Sequence, residues 1–556
     1  MKKKWWHDKI AYQIYPKSFQ DSNGDGIGDI RGIIQRLDYI RDLGIDILWI
    51  SPIYVSPMVD NGYDIADYYG IDPVFGTMED IELLIEEAKK RNIHILLDLV
   101  INHCSDQHRW FQEALRDPDG PYGKFFYIMN GKDGKEPNNW RSYFGGSVWE
   151  KLPGQEDRYY LHFFAKEQPD LNWENPQLRE EIYAMVNWWL DKGIAGFRID
   201  AIINIKKDLT WQDVEADGPD GMGMVRKSIQ RATGIGVFLK ELKERCFEPH
   251  DAFTVGEVFE VEGDELEEFI GDNGYFSTMF DFKPSHLNHG DGWYEYRDVP
   301  FTEWRDCIFE TQEQAVGRFF EANILENHDQ PRGASAYIPP EDYGFYSVTA
   351  LATLSVLLRG IPFLYQGQEI GMTNCLMDSV ESYNDIGTID YYYHLLNQGL
   401  SEQEALLLCE QESRDNTRTP MQWSDQKNAG FTQGIPWMPV NPNYVWLNVD
   451  AQKKEYGSIL NFYKRLLAFR KSEEYVNVFT YGDFIPAYQE KENIFAYYRT
   501  SSQQKIMVIC NYSGSQIKIE IAEEYENVIF VNYDTLTRVG NFLHLQPYQT
   551  IVVEMT

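Results

Sequence analysis

The feature that most constrains the fold is an alternation of short apolar runs with amphipathic stretches in the first part of the chain. Residues 10–15, 45–50 and 93–101 are apolar and bounded by turn residues, which indicates strands buried on both faces. Between them, residues 32–43 and 78–91 carry apolar side chains at helical spacing. Such an alternation is typical of a parallel sheet covered by helices.

Five further strands are predicted at residues 195–200, 252–256, 278–282, 322–326 and 362–365. Eight strands alternating with helices predict an α/β fold, a (β/α)8 TIM barrel. Residues 104–177 break the alternation because they are rich in Gly, Pro, Asn and aromatic residues, which predicts an inserted subdomain. The last part of the chain has short alternating strands, which predict a small all-β domain. The predicted domains are therefore a barrel over 1–103 and 178–475, the insert 104–177, and a C-terminal domain 476–556.

Composition narrows the function classes. The chain has 556 residues with 51 Lys and Arg against 87 Asp and Glu, a formal net charge of −36. This charge argues against a nucleic acid or an anionic membrane as a partner. No run of 18 apolar residues predicts a membrane helix. The six cysteines form no CxxC pair, so reduced thiols and a cytoplasmic location are expected. The oligomeric state is left open.

Acidic residues stand where three predicted barrel strands end, namely Asp200, Glu257 and Asp329, with His103 and His328 at two of the ends. In a TIM barrel the carboxyl ends of the strands line the active site. Converging carboxylates suit cleavage of a glycosidic bond, where one must be ionised and another must donate a proton.

Arg198 lies two residues before Asp200 and therefore on the same side of the strand. Its charge is expected to keep Asp200 ionised, whereas Glu257 is expected to retain its proton in a less compensated position.

These strand ends resemble the signature regions of glycoside hydrolase family 13, the α-amylase superfamily. Residues 11–19 (AYQIYPKSF), 61–65 (NGYDI), 168–172 (QPDLN) and 418–423 (RTPMQW) resemble its oligo-1,6-glucosidase and α-glucosidase branch. The resemblance implies a catalytic barrel, a B subdomain after the third strand, and a C-terminal β-sandwich.

The resemblance also implies residue roles. Asp200 matches the nucleophile, Glu257 the general acid/base and Asp329 the transition-state stabiliser, in a reaction that retains the α-configuration through a covalent glycosyl-enzyme. Positions that hold the non-reducing glucose in the family match Asp60, Tyr63, His103, Arg198, His328 and Arg414. Phe144 and Phe163 match aromatic walls of the pocket, although core packing alone would also explain each ring.

Asp60 together with an arginine of residues 414–418 would close the pocket behind that glucose and make the enzyme exo-acting. Arg414 is preferred for this role, and Arg418 is the alternative. The implied partner is a small oligosaccharide.

A second group of oxygen ligands lies in residues 21–29, where Asp21, Asn23, Asp25 and Asp29 alternate with glycines and Ile27 offers a carbonyl. The spacing follows the first nine positions of an EF-hand loop, but position twelve is Gly32 rather than glutamate, so an EF-hand is excluded. The loop is similar to the family's calcium loop. It predicts a structural Ca²⁺, with Mg²⁺ as the alternative.

Ala201 follows the predicted nucleophile, where relatives selective for α-1,6 linkages commonly have valine. The smaller residue favours an α-glucosidase that hydrolyses short α-1,4-linked oligosaccharides, with α-1,6 or sucrose activity left open. The alternatives are an oligo-1,6-glucosidase, a sucrose isomerase, a trehalose-6-phosphate hydrolase and a non-catalytic barrel relative. Residues 284–292 lack the Arg-Leu-Asp-Arg-Asp stretch of the isomerases, and no distinct phosphate pocket is evident. Retention of Asp200, Glu257 and Asp329 argues against a non-catalytic relative.

Overall fold

The computed structural model describes residues 2–259, 261, 263–289, 296–521 and 523–556. Eight parallel strands form one sheet in which the first six each pair with their neighbour in chain order, the seventh pairs with the eighth, and the eighth pairs with the first. A bridge between Phe280 and Ala322 joins the sixth strand to the seventh. The predicted (β/α)8 barrel is confirmed. Its strands are Ala11–Ile14, Ile47–Ile50, His94–Val100, Gly196–Asp200, Phe253–Gly256, Thr278–Met279, Ala322–Ile324 and Ile361–Tyr365.

Eight helices cover the outside of the barrel, one after each strand, and their buried faces form the largest apolar core. They are Ile30–Leu43, Met78–Lys90, Pro176–Asp191, Ile235–Leu242, Glu265–Ile270, Phe301–Ala315, Phe345–Val356 and Ile459–Arg470. The first begins two residues before its predicted start because the Asp29 carboxylate accepts the N–H of Gly32 as its N-cap. It ends at Gly44, whose φ of 101° suits glycine. The second has the expected Thr77 cap, in a capping box with Asp80.

The sixth strand is shorter than predicted. It covers Thr278–Met279 rather than residues 278–282. Phe280 and Phe282 are apolar because they pack inside the barrel, where the Phe280 ring lies 5.5 Å from Trp49 and 5.1 Å from Phe363. Beyond the single bridge at Phe280, core packing rather than strand pairing therefore explains this part of the apolar run.

The region after the third strand has the helix Arg109–Arg116 and its own small three-stranded sheet of Ile128–Asn130, Trp149–Lys151 and Arg158–Leu161. A later segment joins it, because Gly223–Met224 pairs with Trp140–Arg141 and Trp211 packs on Trp140 with ring centroids 5.6 Å apart. The loop after the fourth barrel strand thus completes the core of the insert.

A long excursion separates the eighth strand from its helix. It contains Ile386–Asn397, Glu402–Glu412, Asp415–Arg418 and Val449–Lys454. This excursion returns to the carboxyl ends of the barrel strands and delivers Asp385, Arg414 and Arg418 to the candidate site.

The C-terminal region follows the helix Val476–Tyr481 and consists of two antiparallel sheets. The larger contains Asp483–Ala487, Ile494–Thr500, Lys505–Asn511, Tyr525–Val531 and Thr550–Met555, and the smaller contains Ile517–Glu520, Thr537–Val539 and Phe542–Leu545. Alternating side chains such as Met507, Ile519 and Leu543 form the core between them, as a sandwich requires.

Among the described residues, no helix combines the length and apolar character that crossing a bilayer demands. All six cysteines are buried and free of disulfide bonds.

Candidate active site

The buried guanidinium of Arg198 contacts three acids of the candidate site. Arg198, in the fourth strand, is fully buried and its Nη1 lies 2.8 Å from Asp98 and 2.5 Å from Asp200. Its Nη2 lies 2.9 Å from Oε1 of Glu257, and the backbone N–H of Ala201 donates to Oε2 of the same carboxyl at 2.7 Å. Two of the predicted catalytic acids are therefore held side by side by one cation.

Burial raises the pKa of Asp200 well above its ordinary value, and the adjacent Arg198 offsets this only in part. Burial also raises the pKa of Glu257, again against the effect of Arg198. Arg198 lowers the pKa of Asp200, as expected, but burial outweighs it, and Glu257 contacts the same arginine rather than being left uncompensated. Because two buried carboxyls share one cation, the pair favours holding a single proton, with one acid ionised and the other protonated.

Asp329, after the seventh strand, lies in the opposite electrostatic environment. Its Oδ1 is 3.1 Å from Nη1 of Arg414 and 2.9 Å from Nη2 of Arg418, and its Oδ2 is 3.1 Å from Nε2 of His328. Burial works against ionisation, but these neighbours hold the pKa of Asp329 well below its usual range. Asp329 is therefore the acid that is always charged at neutral pH.

His328 and Tyr63 form one face of the site. The two rings stack at 5.2 Å with an angle of 7°, and the Tyr63 hydroxyl lies 2.6 Å from Nε2 of His328 and 3.0 Å from Asp98. The Gln13 amide nitrogen lies 2.8 Å from Nδ1 of His328, which leaves Nε2 to carry the proton toward Asp329. Burial lowers the pKa of His328 to about 3, so the ring is neutral.

Asp98 was not among the predicted site residues, although it contacts both Arg198 and Tyr63. It is fully buried and also accepts the Trp49 indole N–H at 3.0 Å. Its sequence signal was an acid within the otherwise apolar third strand, HILLDLV. A charge in such a run demands a buried partner, which here is Arg198.

The back of the site is formed by Asp60, Arg414 and the residues that hold them. Nη2 of Arg414 lies 3.5 Å from Asp60, whereas Arg418 is bound to Asp329 and to the carbonyl of His328. The geometry thus brings Arg414, the preferred arginine, to Asp60. Gln168 donates to Asp60 at 3.1 Å and lies 3.2 Å from Nε2 of His103.

Arg414 has a third acid partner that the sequence did not reveal. Nε of Arg414 donates to Asp385 at 2.9 Å, and Asp385 also caps the helix Ile386–Asn397. Burial works to raise the pKa of Asp385, but Arg414 and Arg418 lower it to about 2. No residue pattern marks this role, because Asp385 resembles any helix N-cap.

The two predicted aromatic walls have different positions. Phe144 is half-buried and lies beneath the Arg414 guanidinium, 5.3 Å from the ring centroid. Phe163 is fully buried in the core of the insert, with the Lys207 ammonium 3.8 Å from its ring, so it does not face an open pocket. The neighbouring Phe164 is half-buried and lies 5.1 Å from His103. The structure therefore brings Phe164, rather than Phe163, next to His103.

A buried ion pair ties the insert to the barrel just below His103. Lys207 lies 2.6 Å from Asp170 and donates to the Asn102 side chain at 2.8 Å, and both charged side chains are fully buried. Because Asn102 precedes His103, this pair fixes the backbone that presents the histidine.

The loop predicted to bind a metal already satisfies much of its own hydrogen bonding. Asp21 accepts the backbone N–H groups of three loop residues and the Thr432 hydroxyl. Asp29 caps the first barrel helix and accepts from Ser22. Asn23 and Asp25 are more exposed, and oxygen ligands of this kind fit a hard cation. Within the part of the chain that the structure describes, no cluster of three His, Cys, Asp or Glu side chains is arranged as a metal site.

A (β/α)8 barrel whose strand ends gather three carboxyls around one arginine and close one side with an aspartate–arginine pair has the architecture of a glycoside hydrolase. The family model described as "Alpha amylase, catalytic domain" matches residues 13–479, and the model "Alpha-amylase SusG C-terminal domain" matches residues 494–552. The chain therefore belongs to the α-amylase family, glycoside hydrolase family 13.

Similar proteins span the full chain. An oligo-1,6-glucosidase of Bacillus cereus is 39% identical over 562 residues, which cover 100% of each chain. The crystal structure of a trehalose-6-phosphate hydrolase of Bacillus licheniformis is 37% identical, covers 99% of this chain and 100% of that one, and has a TM-score of 0.91. An isomaltulose synthase of Klebsiella sp. LX3 is 34% identical over 100% of each chain, with a TM-score of 0.93.

Proposed function

We propose that this glycoside hydrolase is a retaining, exo-acting α-glucosidase that removes terminal non-reducing glucose from short oligosaccharides. The observation that carries the proposal is the contact of one guanidinium, that of Arg198, with both Asp200 and Glu257. Sharing one arginine favours the short carboxyl separation, about 5–5.5 Å, that retention requires, because an inverting enzyme needs room for a water molecule between its acids.

The proposed reaction has two steps. Glu257 gives its proton to the glycosidic oxygen while Asp200 attacks the anomeric carbon, which breaks the glycosidic bond and forms a glucosyl-enzyme ester. Glu257, now ionised, then takes a proton from water, whose oxygen attacks the same carbon and releases Asp200. The charged Asp329 stabilises the positive charge that develops on the sugar in both steps.

Exo action is supported by the wall behind the site. The Asp60–Arg414 contact is backed by Asp385 and Gln168, so a longer chain cannot pass without breaking several polar contacts. In the proposal, Asp60 and Arg414 bind the hydroxyl groups of the terminal glucose, and the stacked Tyr63 and His328 face its ring.

We propose that the enzyme prefers α-1,4-linked substrates because Ala201 follows the nucleophile. This residue is buried and has a φ of 42° beside Glu257. A β-branched residue is strained at positive φ, so the backbone here suits a small side chain and leaves room for the leaving group.

The second candidate is an α-1,6 specificity, because the relative from Bacillus cereus carries the name oligo-1,6-glucosidase. Trehalose-6-phosphate hydrolysis and sucrose isomerisation have similar support from solved structures. The sequence argument against isomerisation rests on residues 284–292, of which 290–292 lie outside the described residues.

Initial rates on maltose, isomaltose, sucrose and trehalose 6-phosphate test the proposal, and product analysis by NMR tests retention. Maltose is expected to be hydrolysed fastest, with α-glucose as the first product. Ala201→Val is expected to lower the maltose-to-isomaltose rate ratio several-fold, with Val258→Ala, at the buried position after Glu257, as the control. Isomaltulose formed from sucrose without free glucose, or β-glucose as the first product, would overturn it.

We also propose that residues 21–29 bind Ca²⁺ in a purely structural role and that the protein functions in the cytoplasm. The supporting observations are the oxygen-only ligands of the loop and the six buried free thiols.

A further inference from the structure

A cleft of about 570 Å³ lies on the insert next to the candidate sugar pocket. Phe144 and Phe164 line it, and the same two rings contact Arg414 and His103 of the pocket. The cleft therefore shares an aromatic wall with the active site but lies outside the acids that would carry out the reaction. Its volume is in the range of small-molecule sites.

The small sheet of the insert contributes side chains from both of its faces to this cleft. Glu150 pairs with Tyr160 across the sheet, so the two side chains share one face. His162, two residues beyond Tyr160, continues this face, and its ring lies 6.0 Å from that of Tyr160. Trp149 and Tyr159, on the opposite face, belong to the buried core of the insert and also line the cleft.

His162 gives the cleft a hydrogen-bond acceptor. Its Nδ1 lies 2.8 Å from the carbonyl oxygen of Phe164 and must therefore donate a proton to it. Burial lowers the pKa of His162, so the ring is neutral and Nε2 carries a lone pair. The residue is only 5% exposed, and among the described residues no hydrogen-bond partner is seen for Nε2.

We propose that this cleft is an auxiliary binding site for an uncharged sugar, a glucose unit of a short oligosaccharide. The half-buried faces of Phe144 and Phe164 provide an apolar surface for the sugar ring, and His162 accepts a hydroxyl hydrogen. The charged residues around the cleft are three acids and two lysines, namely Glu136, Glu150, Glu167, Lys151 and Lys166. This acidic balance disfavours a phosphorylated sugar. The site is independent of the proposed reaction, which can stand if the cleft fails to bind.

The first experiment separates the two sites. The Asp200→Asn protein is saturated with 1-deoxynojirimycin to fill the active site, and maltose is then titrated in calorimetry and saturation-transfer NMR. Millimolar binding of one maltose per chain is expected, with glucose 6-phosphate binding more weakly. No maltose binding to the inhibitor-saturated protein would overturn the proposal, and so would stronger binding of glucose 6-phosphate.

Matched variants then locate the site. His162→Leu removes the acceptor and is expected to weaken the second binding event about tenfold, whereas His162→Gln, which keeps an acceptor, should stay within about threefold. His544→Leu in the C-terminal domain is the control. If His162→Leu does not fold, Ser147→Tyr, which fills the cleft from a half-buried lining position, should abolish binding. Unchanged maltose affinity in whichever of these two variants folds would overturn the assignment to this cleft.

Discussion

The protein buries arginines in two regions that use them differently. In the active site, Arg198 faces three carboxyls, which outweigh burial and raise its pKa well above the ordinary value. Between the barrel and the C-terminal sandwich, Arg470 and Arg499 form no ion pair within the described part of the chain and donate instead to backbone carbonyls.

The carbonyls at this interface belong to the end of one barrel helix and the turn after it, except that of Gly482, which follows the helix Val476–Tyr481. Arg470 donates to Val356 and Leu358, and Arg499 donates to Leu357 and Gly482. Because the last carbonyls of a helix lack partners within it, these arginines satisfy groups that would otherwise be buried unpaired. Burial lowers the pKa of Arg470 to about 10. The comparison teaches that a buried guanidinium controls proton positions only where acids surround it.

The largest effect is expected for Asp200→Asn, which leaves the arginine in place and removes the attacking oxygen. Hydrolysis of p-nitrophenyl α-glucoside should fall by on the order of 10⁴-fold or more. The melting temperature should not fall, because burial already disfavours the charged form of Asp200. Asp306→Asn, on an exposed side chain, is the control. A variant that kept one tenth of the activity would exclude Asp200 as the nucleophile.

The next test compares the two regions directly with matched substitutions. Arg198→Met should reduce kcat by about 10³-fold or more because Asp200 and Glu257 lose their shared cation. Arg499→Met should instead lower the free energy of unfolding by about 2 kcal/mol, since two buried carbonyls lose their donor, and leave KM and kcat unchanged. Denaturant unfolding and steady-state kinetics measure both. Loss of catalysis in a folded Arg499→Met protein would break the comparison.

The sequence predicted the barrel and its strand ends well because both depend on local patterns. Apolar runs of four to nine residues that alternate with amphipathic helices indicate buried strands, and Asp200, Glu257 and Asp329 stand at or just after the ends of three of those runs. The resemblance added roles that no periodicity carries.

Contacts between distant segments could not be predicted from such local patterns. Asp385 reaches Arg414 through the long excursion after the eighth strand, and Trp211 reaches the insert from the loop after the fourth. Phe163 and Phe164 are adjacent and equally aromatic, so only the direction of the backbone decides which ring faces the pocket. Nothing in the sequence marked Arg499 as an interface residue, because polar and apolar residues alternate in the same way in a surface strand and in a strand at a domain interface.

A smaller effect on KM is expected at the back of the pocket, where Asp60 contacts Arg414. Burial raises the pKa of Asp60 to about 6, against the opposing charge of Arg414. Below that pH Asp60 takes up a proton and loses its charge toward Arg414 and toward a sugar hydroxyl. KM for maltose should therefore rise as the pH falls through 6, while kcat changes less.

Asp60→Asn should raise KM about tenfold at pH 7 and abolish the change in KM near pH 6. Low pH weakens the predicted binding of maltose, but it has the opposite effect on folding stability. Because the folded pKa lies above the unfolded value of about 3.9, protonation favours the folded state, and this group's contribution to stability falls as the pH rises from about 4 to 6. Asp385→Asn, which also contacts Arg414 but has a pKa lowered to about 2, is the matched control and should leave that pH dependence intact. A wild-type KM that stayed constant between pH 5 and 7 would contradict the assignment.

The smallest effect concerns Asp21. This carboxylate accepts hydrogen bonds from backbone N–H groups, just as the Arg499 guanidinium donates to backbone carbonyls. Its pKa is lowered, since hydrogen bonds from Thr432 and from the loop backbone overcome its partial burial. If Ca²⁺ adds a cation to these donors, chelation should lower the melting temperature by about 2–4 °C and leave kcat unchanged, because the loop lies outside the catalytic acids. Asp21→Asn should remove the response, whereas Asp534→Asn in the C-terminal domain should keep it. A melting temperature indifferent to both chelator and added Ca²⁺ would mean that backbone donors alone stabilise this carboxylate, as backbone acceptors alone stabilise the interface arginines.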